Sequence, residues 1–150
     1  MHSSMTELYV HIVWATWDRR PLITPTIEPV IYRTIEAECH RLGCQVYAIG
    51  GVEDHLHILL RLHASVAVAE LVKQMKGVSS HLIRTETDPE SGFRWQGSYG
   101  AFSLGRPDLD RVRGYVQQQK ARHQNRQLWT QWEQCGDDRS GDNRSAAGNS

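Results

Sequence analysis

The sequence lacks the features that mark several classes of protein. Its 17 Lys and Arg balance its 17 Asp and Glu, so net charge points to neither a nucleic-acid nor a membrane partner. Cys39, Cys44 and Cys135 are odd in number and lack a Cys-x-x-Cys spacing, which argues against a disulfide framework or a zinc knuckle. The first residues are mostly polar, and no apolar run approaches the roughly 20 residues of a membrane span. We therefore expect a soluble, cytoplasmic protein.

The length of 150 residues is typical of a single domain with one hydrophobic core. We assign this domain to residues 1–134. Residues 135–150 contain no large apolar side chain, and we expect them to form a disordered polar tail. Charge is unevenly distributed, because basic residues outnumber acidic ones between Arg106 and Arg126. A local binding surface is therefore compatible with a neutral chain.

The hydrophobic pattern predicts an α+β domain. Period-two and aromatic-rich segments predict strands, and three-four spacing predicts helices. The order strand, helix, strand, strand, helix, strand is that of a ferredoxin-like split βαβ sandwich, an antiparallel sheet with helices on one face. A further C-terminal helix carries Tyr115. The predicted strands are 8–17, 45–52, 55–62 and one that follows the loop at 93; the predicted helices are 25–42, 65–86 and 109–125.

Two histidines in the third strand are candidate metal ligands. His55 and His57 flank Leu56, and alternate side chains of a strand share a face, so the two imidazoles lie side by side. Each neutral ring offers one nitrogen lone pair to a divalent cation. The alternative is a pair of buried, hydrogen-bonded structural histidines. For His11 in the first strand, a structural role is the favoured interpretation.

Tyr115 and Gln119 are the candidate residues of the last helix. They are four positions apart and therefore project from the same face. A phenol can act as a nucleophile, and an amide oxygen can be a third, hard metal ligand. Spacing alone favours a simpler interpretation, a half-exposed helix face with a polar tyrosine.

Four segments resemble one superfamily and one family within it. Glu53-Asp54-His55-Leu56-His57 resembles the His-hydrophobic-His signature of the HUH endonuclease superfamily. Leu71–Gly77, Trp95–Ser103 and Tyr115–His123 resemble segments of its single-tyrosine transposases, the IS200-like transposases of the smallest insertion sequences and their REP-associated relatives. The resemblance runs in the same order from Thr6 to His123. Many relatives have a second histidine where this chain has Gln124.

The resemblance implies a mechanism as well as a fold. His55, His57 and Gln119 would hold Mg²⁺ or Mn²⁺, and Tyr115 would attack DNA to give a 5′-phosphotyrosine. The implied substrate is single-stranded DNA with subterminal hairpins at the ends of an insertion sequence. The implied assembly is a homodimer with active sites shared between subunits, associated with the nucleoid. The expected DNA-binding residues are Arg19, Arg20, Lys73, Lys76 and Arg122.

Two alternatives share parts of this pattern. A domesticated, repeat-associated relative would use the same chemistry on chromosomal hairpins. A non-catalytic nucleic-acid-binding module would use the same ferredoxin-like sheet, but it would lack a metal ligand or the tyrosine, and this chain has them all.

Overall fold

The computed structural model describes residues 4–124. The predicted boundary at residue 134 and the predicted tail lie outside this range. The strands are β1 (Leu8–Ala15), β2 (Gln45–Gly51), β3 (His55–Leu62) and β4 (Gly100–Leu104), and the helices are α1 (Glu28–Arg41), α2 (Val68–Leu82), α3 (Leu109–Gln117) and α4 (Gln119–Gln124). Single turns of other helix types occur at Trp17–Arg19, Ile83–Thr87 and Arg106–Asp108.

The four strands form one antiparallel sheet in the order β2-β3-β1-β4. Helices α1 and α2 pack together over one face, and α3 lies on β2 and β3. This arrangement confirms the predicted α+β, ferredoxin-like sandwich. No helix within residues 4–124 is long and apolar enough to cross a bilayer.

Strand β3 contributes to both faces of the sheet. Leu56, Ile58 and Leu60 belong to the main apolar core with α1 and α2, whereas Leu59 packs with α3 in a second cluster. Because side chains alternate along a strand, His55 and His57 lie on the face of Leu59. The predicted strand therefore has a histidine face that is separate from its apolar core face.

Three predicted boundaries require correction. The first strand ends at Ala15 and not at residue 17, because the chain enters a tight turn in which Asp18 has a φ of 53° and Arg19 a φ of 49°. The first helix begins at Glu28 and not at residue 25, because residues 24–27 form a separate turn. The second helix is regular over Val68–Leu82 and not over 65–86.

The predicted final helix is divided into two. Helix α3 ends at Gln117, and Gln118 has φ and ψ of −101° and 21°, outside the helical range, before α4 begins. The apolar positions of α3 account for its placement, because Val112 and Val116 are buried together with Ala48 and Leu59 of the sheet. The break leaves Tyr115 at the end of one helix and Gln119 at the start of the next.

Candidate active site

The structure brings the four predicted site residues into one buried region. The rings of His55 and His57 have centroids 5.3 Å apart. The Tyr115 ring meets His57 edge to face, with centroids 5.6 Å apart and planes at 80°. The side chains of Tyr115 and His57 are completely buried, and Gln119 is almost so. Two imidazoles and a phenol from distant parts of the sequence therefore meet on one face of the sheet, and the buried Gln119 amide is bonded to the backbone of Tyr115.

A glycine allows the tyrosine helix to approach the sheet closely. Gly50 of β2 pairs with His57 and lies under the end of α3. A Cβ atom at this position would fall 1.8 Å from the carbonyl oxygen of Val116. Because Gly50 has no side chain, α3 can lie close enough to the sheet for Tyr115 to contact the histidine strand.

Asp54 orients the first histidine. Its carboxylate oxygen Oδ1 lies 2.7 Å from Nδ1 of His55. A neutral imidazole that donates through Nδ1 keeps its lone pair on Nε2, which is the arrangement found when a carboxylate supports a metal-binding histidine. Asp54, which precedes the double-histidine motif, therefore orients the imidazole of His55.

His11 is a member of the cluster that the sequence did not identify. Its Nε2 lies 2.8 Å from Nδ1 of His57, the two rings stack with centroids 5.1 Å apart, and the residue is buried. The Tyr115 ring lies 6.3 Å from the same imidazole. Strand alternation could have assigned His11 to a face, but only the register of β1 on β3 places it beside His57.

Gln119 bridges the break between α3 and α4. Its Nε2 donates a hydrogen bond of 3.0 Å to the backbone oxygen of Tyr115. Since the amide nitrogen makes this bond, the amide oxygen is the atom suited to bind a cation. The i, i+4 relation predicted for these residues is therefore retained, although the helix is not continuous.

The donor set fits a divalent cation that also binds phosphate. Residues 4–124 contain no cluster of three or more His, Cys, Asp or Glu side chains arranged to bind a metal. A site here would depend on His55, His57 and Gln119, which offer two nitrogens and one oxygen. Such an incomplete set leaves coordination positions for phosphate oxygens and water, as is common for Mg²⁺ and Mn²⁺ at phosphoryl groups.

The predicted DNA-binding residues have different environments. Arg19 and Arg20 are exposed in the turn after β1, at the end of the sheet where Ala15 pairs with His55. Arg122 belongs to α4, but its side chain lies outside the described part of the chain.

The two lysines of α2 that were predicted to bind DNA also have different environments. Lys73 is exposed, whereas Lys76 is partly buried and its ammonium donates to the backbone oxygens of Gln96 and Ser98, at 2.7 and 2.9 Å. Lys76 therefore holds the loop before β4 against α2.

Comparisons with known proteins identify the family and support the fold. The family model described as transposase IS200 like matches residues 4–119. A structure described provisionally as a transposase from Deinococcus radiodurans R1 is similar with a TM-score of 0.62 and 19% identity, over 77% of this chain and 93% of that one. A REP-associated tyrosine transposase bound to a REP hairpin is similar with a TM-score of 0.64 and 12% identity, over 82% and 72%. No curated protein matches. The family match covers most of the sequence, and the chain therefore belongs to the IS200-like transposases.

Proposed function

We propose that this protein cleaves and rejoins single-stranded DNA through a covalent bond to Tyr115. The supporting observation is the edge-to-face contact between the Tyr115 ring and His57 within one buried cluster. The phenol loses its proton and its oxygen attacks phosphorus, the bond between phosphorus and the 3′ oxygen breaks, and that oxygen takes up a proton and leaves as a 3′-hydroxyl. The product is a 5′-phosphotyrosine, which conserves the phosphodiester energy for rejoining.

His55, His57 and Gln119 would hold the divalent cation, Mg²⁺ or Mn²⁺. When bound, such an ion neutralises phosphate charge and orients phosphorus for in-line attack. The protein's own contribution is to fix the ligands. Asp54 orients the ring of His55, and the hydrogen bond from Gln119 to the Tyr115 backbone couples a ligand to the nucleophile.

Access to the site requires helix α3 to move. Tyr115 and His57 have no exposed surface, so a DNA phosphate cannot reach the phenol in the arrangement described. Helix α3 follows Gly105 and the single turn Arg106–Asp108, a short connection from β4. We propose that rotation about this connection lifts α3 from the sheet when DNA binds.

The proposed substrate is single-stranded DNA with a hairpin near each cleavage point. One support is that a REP-associated tyrosine transposase of similar fold is bound to a REP hairpin. Insertion-sequence ends are the first candidate, and chromosomal hairpins processed by a domesticated relative are the second. Comparing cleavage of the two kinds of DNA would separate them.

Each active site is built either by one chain or by two chains of a dimer. The family resemblance favours a homodimer that shares its sites. The contact between Tyr115 and His57 of the same chain instead favours a site that one chain completes alone, and we adopt this second arrangement.

The decisive experiment is detection of a covalent protein–DNA adduct. Purified protein, Mn²⁺ and single-stranded DNA from an element end should give an adduct that survives denaturation. Tyr115→Phe should abolish it, because the variant lacks the attacking oxygen. Tyr47→Phe is the matched control, because Tyr47 packs at the edge of the same cluster without contacting a described imidazole. DNA binding without an adduct in the wild type would favour the non-catalytic alternative.

A further inference from the structure

A basic cleft lies between α2 and the loop before β4, outside the histidine–tyrosine cluster. It has a volume of about 390 Å³, within the range of ligand-binding pockets. We define the basic cleft by the side chains that give it its chemical character: Lys73, Lys76, Arg84, Arg94, Trp95 and Tyr99.

The charge of the basic cleft contrasts with that of the whole chain. Four of its lining residues are basic and none is acidic, whereas the complete sequence has zero net charge. Within residues 4–124, neither Lys73 nor Arg84 forms a salt bridge with a carboxylate. Unneutralised cations lining a concavity favour an anionic ligand.

The spacing of these cations favours a polymer over a single small anion. Lys73 lies in α2 and Arg84 in the turn that continues it, so they are separated by about three turns, or about 16 Å. A single phosphate cannot contact both. Successive phosphates of a nucleic-acid strand can, because they recur every few ångströms along the chain.

Aromatic side chains form the opposite wall. Trp95 is fixed, because its indole nitrogen donates to Ser79 Oγ at 3.0 Å and its ring packs edge to face on Phe93. Tyr99 is only half-buried and lines the cleft. Lys76 holds the loop in place through its bonds to backbone oxygens. A fixed wall with a half-exposed aromatic ring is suited to stacking with an unpaired base.

The basic cleft lies near the end of the sheet that carries His55, but on the side covered by α2, whereas the histidines lie on the side covered by α3. Trp95 forms an isolated bridge with Thr16, and the preceding residue, Ala15, pairs with His55. Adjacent strands are about 4.8 Å apart, so two such steps place Trp95 about 10 Å across the sheet from His55. Because Tyr115 and the cleft lie on opposite sides of the sheet, a DNA strand held at Tyr115 would reach the cleft by passing around this end of the sheet, a path that a few nucleotides can span.

We propose that the basic cleft binds single-stranded nucleotides flanking the phosphate that Tyr115 attacks. Lys73 and Arg84 contact backbone phosphates, and Tyr99 stacks on a base. This inference rests on the proposed function and assigns the site that holds the substrate on one side of the cleavage point.

Direct binding measurements test the proposal without any chemistry. A fluorescein-labelled dT oligomer of about 15 nucleotides is titrated with full-length protein in EDTA, and anisotropy is followed at several salt concentrations. The variant Lys73→Ala/Arg84→Ala should bind at least tenfold more weakly, and its salt slope should fall by about 1.4, because each lost phosphate contact removes about 0.7. Tyr99→Ala should weaken binding about 5- to 150-fold, the range for loss of one stacked base.

The matched control removes two cations from another surface. Arg33 and Arg41 are exposed on α1, and Arg33→Ala/Arg41→Ala should leave both affinity and salt slope unchanged. Circular dichroism and thermal unfolding establish that each variant is folded. Equal losses in both double variants, or no loss in Lys73→Ala/Arg84→Ala, would overturn the proposal, as would a wild type that does not bind the oligomer.

The adduct assay, applied to the same variants, distinguishes a failure of the cleft proposal from a failure of the proposed function. An adduct on Tyr115 together with unchanged binding by the cleft variants would refute the cleft and leave the chemistry intact. Cleft-dependent binding without an adduct would support the cleft and refute the chemistry.

Discussion

Nε2 of His11 lies 2.8 Å from Nδ1 of His57, and the two imidazoles stack in a buried layer beneath Tyr115. This hydrogen bond joins strand β1 to the strand that carries the double-histidine motif. A neutral His57 that donates through Nδ1 has its lone pair on Nε2, the form able to bind a cation. We therefore infer that His11 positions His57, the proposed metal ligand.

Replacing His11 should weaken metal binding without removing a ligand. His11→Phe keeps an aromatic ring beside Phe102 but loses the hydrogen bond to His57. Loss of a group that supports a metal ligand costs about 10- to 100-fold in affinity, so Mn²⁺ should bind that much more weakly by calorimetry on DNA-free protein. His63→Phe, at an exposed position, should bind Mn²⁺ as the wild type does. Equal affinity in the two variants would contradict the positioning role.

Replacing Gly50 with alanine should lower the unfolding free energy, whereas replacing Gly114 with alanine should raise it. The methyl group of Gly50→Ala would meet the Val116 carbonyl oxygen at 1.8 Å, so α3 must shift, at a cost of about 1–3 kcal/mol in unfolding free energy. Gly114 lies within α3 with no atom within 4 Å of an added Cβ, and Gly114→Ala should stabilise by about 0.5–1 kcal/mol through helix propensity.

Urea denaturation measures both changes, and the adduct assay reports the position of Tyr115. Gly50→Ala should lose adduct because the phenol is displaced from His57, whereas Gly114→Ala should retain it. A stable and fully active Gly50→Ala protein would show that the close approach of α3 to the sheet has no role in function.

The two lysines of α2 should separate a structural role from a binding role. In Lys76→Met the backbone oxygens of Gln96 and Ser98 lose a partly buried ammonium donor, and we expect a loss of about 1–3 kcal/mol in unfolding free energy. Lys73→Met changes an exposed side chain and should stay within about 0.5 kcal/mol of the wild type. Similar stability of the two variants in urea would argue against loop anchoring by Lys76.

The sequence predicted the local features well and the long-range contacts poorly. Strand β3 was predicted with its ends correct, because its apolar run and turn residues are all local signals. The hydrogen bond between His11 and His57 depends on how β1 aligns with β3, and the close approach at Gly50 depends on where α3 docks. Neither relation leaves a periodic pattern in the chain.

The same reasoning explains the error at the last helix and why the contacts of Lys76 could not be predicted. Helical spacing continues through Gln118, so periodicity predicted a single helix, whereas the structure ends α3 at Gln117. The bonds from Lys76 to the backbone oxygens of Gln96 and Ser98 depend on where the loop before β4 packs against α2, which helical spacing does not show.

Alkaline pH should destabilise the protein partly through Cys39. Burial, with smaller contributions from Cys44 and nearby carboxylates, raises the pKa of this thiol from 9.0 to about 12. Between these values the unfolded chain releases a proton that the folded chain retains, so the unfolding free energy falls as pH rises, by up to about 1.4 kcal/mol per pH unit.

The test compares how steeply the unfolding free energy falls with pH in the wild type and in a variant. Urea unfolding of the wild type and of Cys39→Ala at pH 8, 9 and 10 should show a shallower decline above pH 9 in the variant, because it lacks the shifted thiol. Parallel curves would mean that the Cys39 thiol does not titrate differently in the two states.

Mixing inactive chains should reveal whether one polypeptide completes the active site. His57→Ala removes a proposed metal ligand and Tyr115→Phe removes the nucleophile, so each variant alone should form no adduct. In the structure α3 packs on its own sheet, with Tyr115 against His57 of the same chain. We therefore expect the mixture to be inert, because a site completed within one chain lacks either His57 or the Tyr115 hydroxyl in every molecule.

Recovered activity would identify the other arrangement. If α3 exchanges between subunits, one of the two composite sites in a mixed dimer combines an intact His57 with an intact Tyr115, and the adduct should reach about half the wild-type yield per mixed dimer. Co-expression of the variants ensures that subunits mix, and sedimentation establishes whether dimers are present. An inert mixture of confirmed mixed dimers would exclude exchange of α3, whereas an active one would show that the Tyr115–His57 contact forms between chains during catalysis.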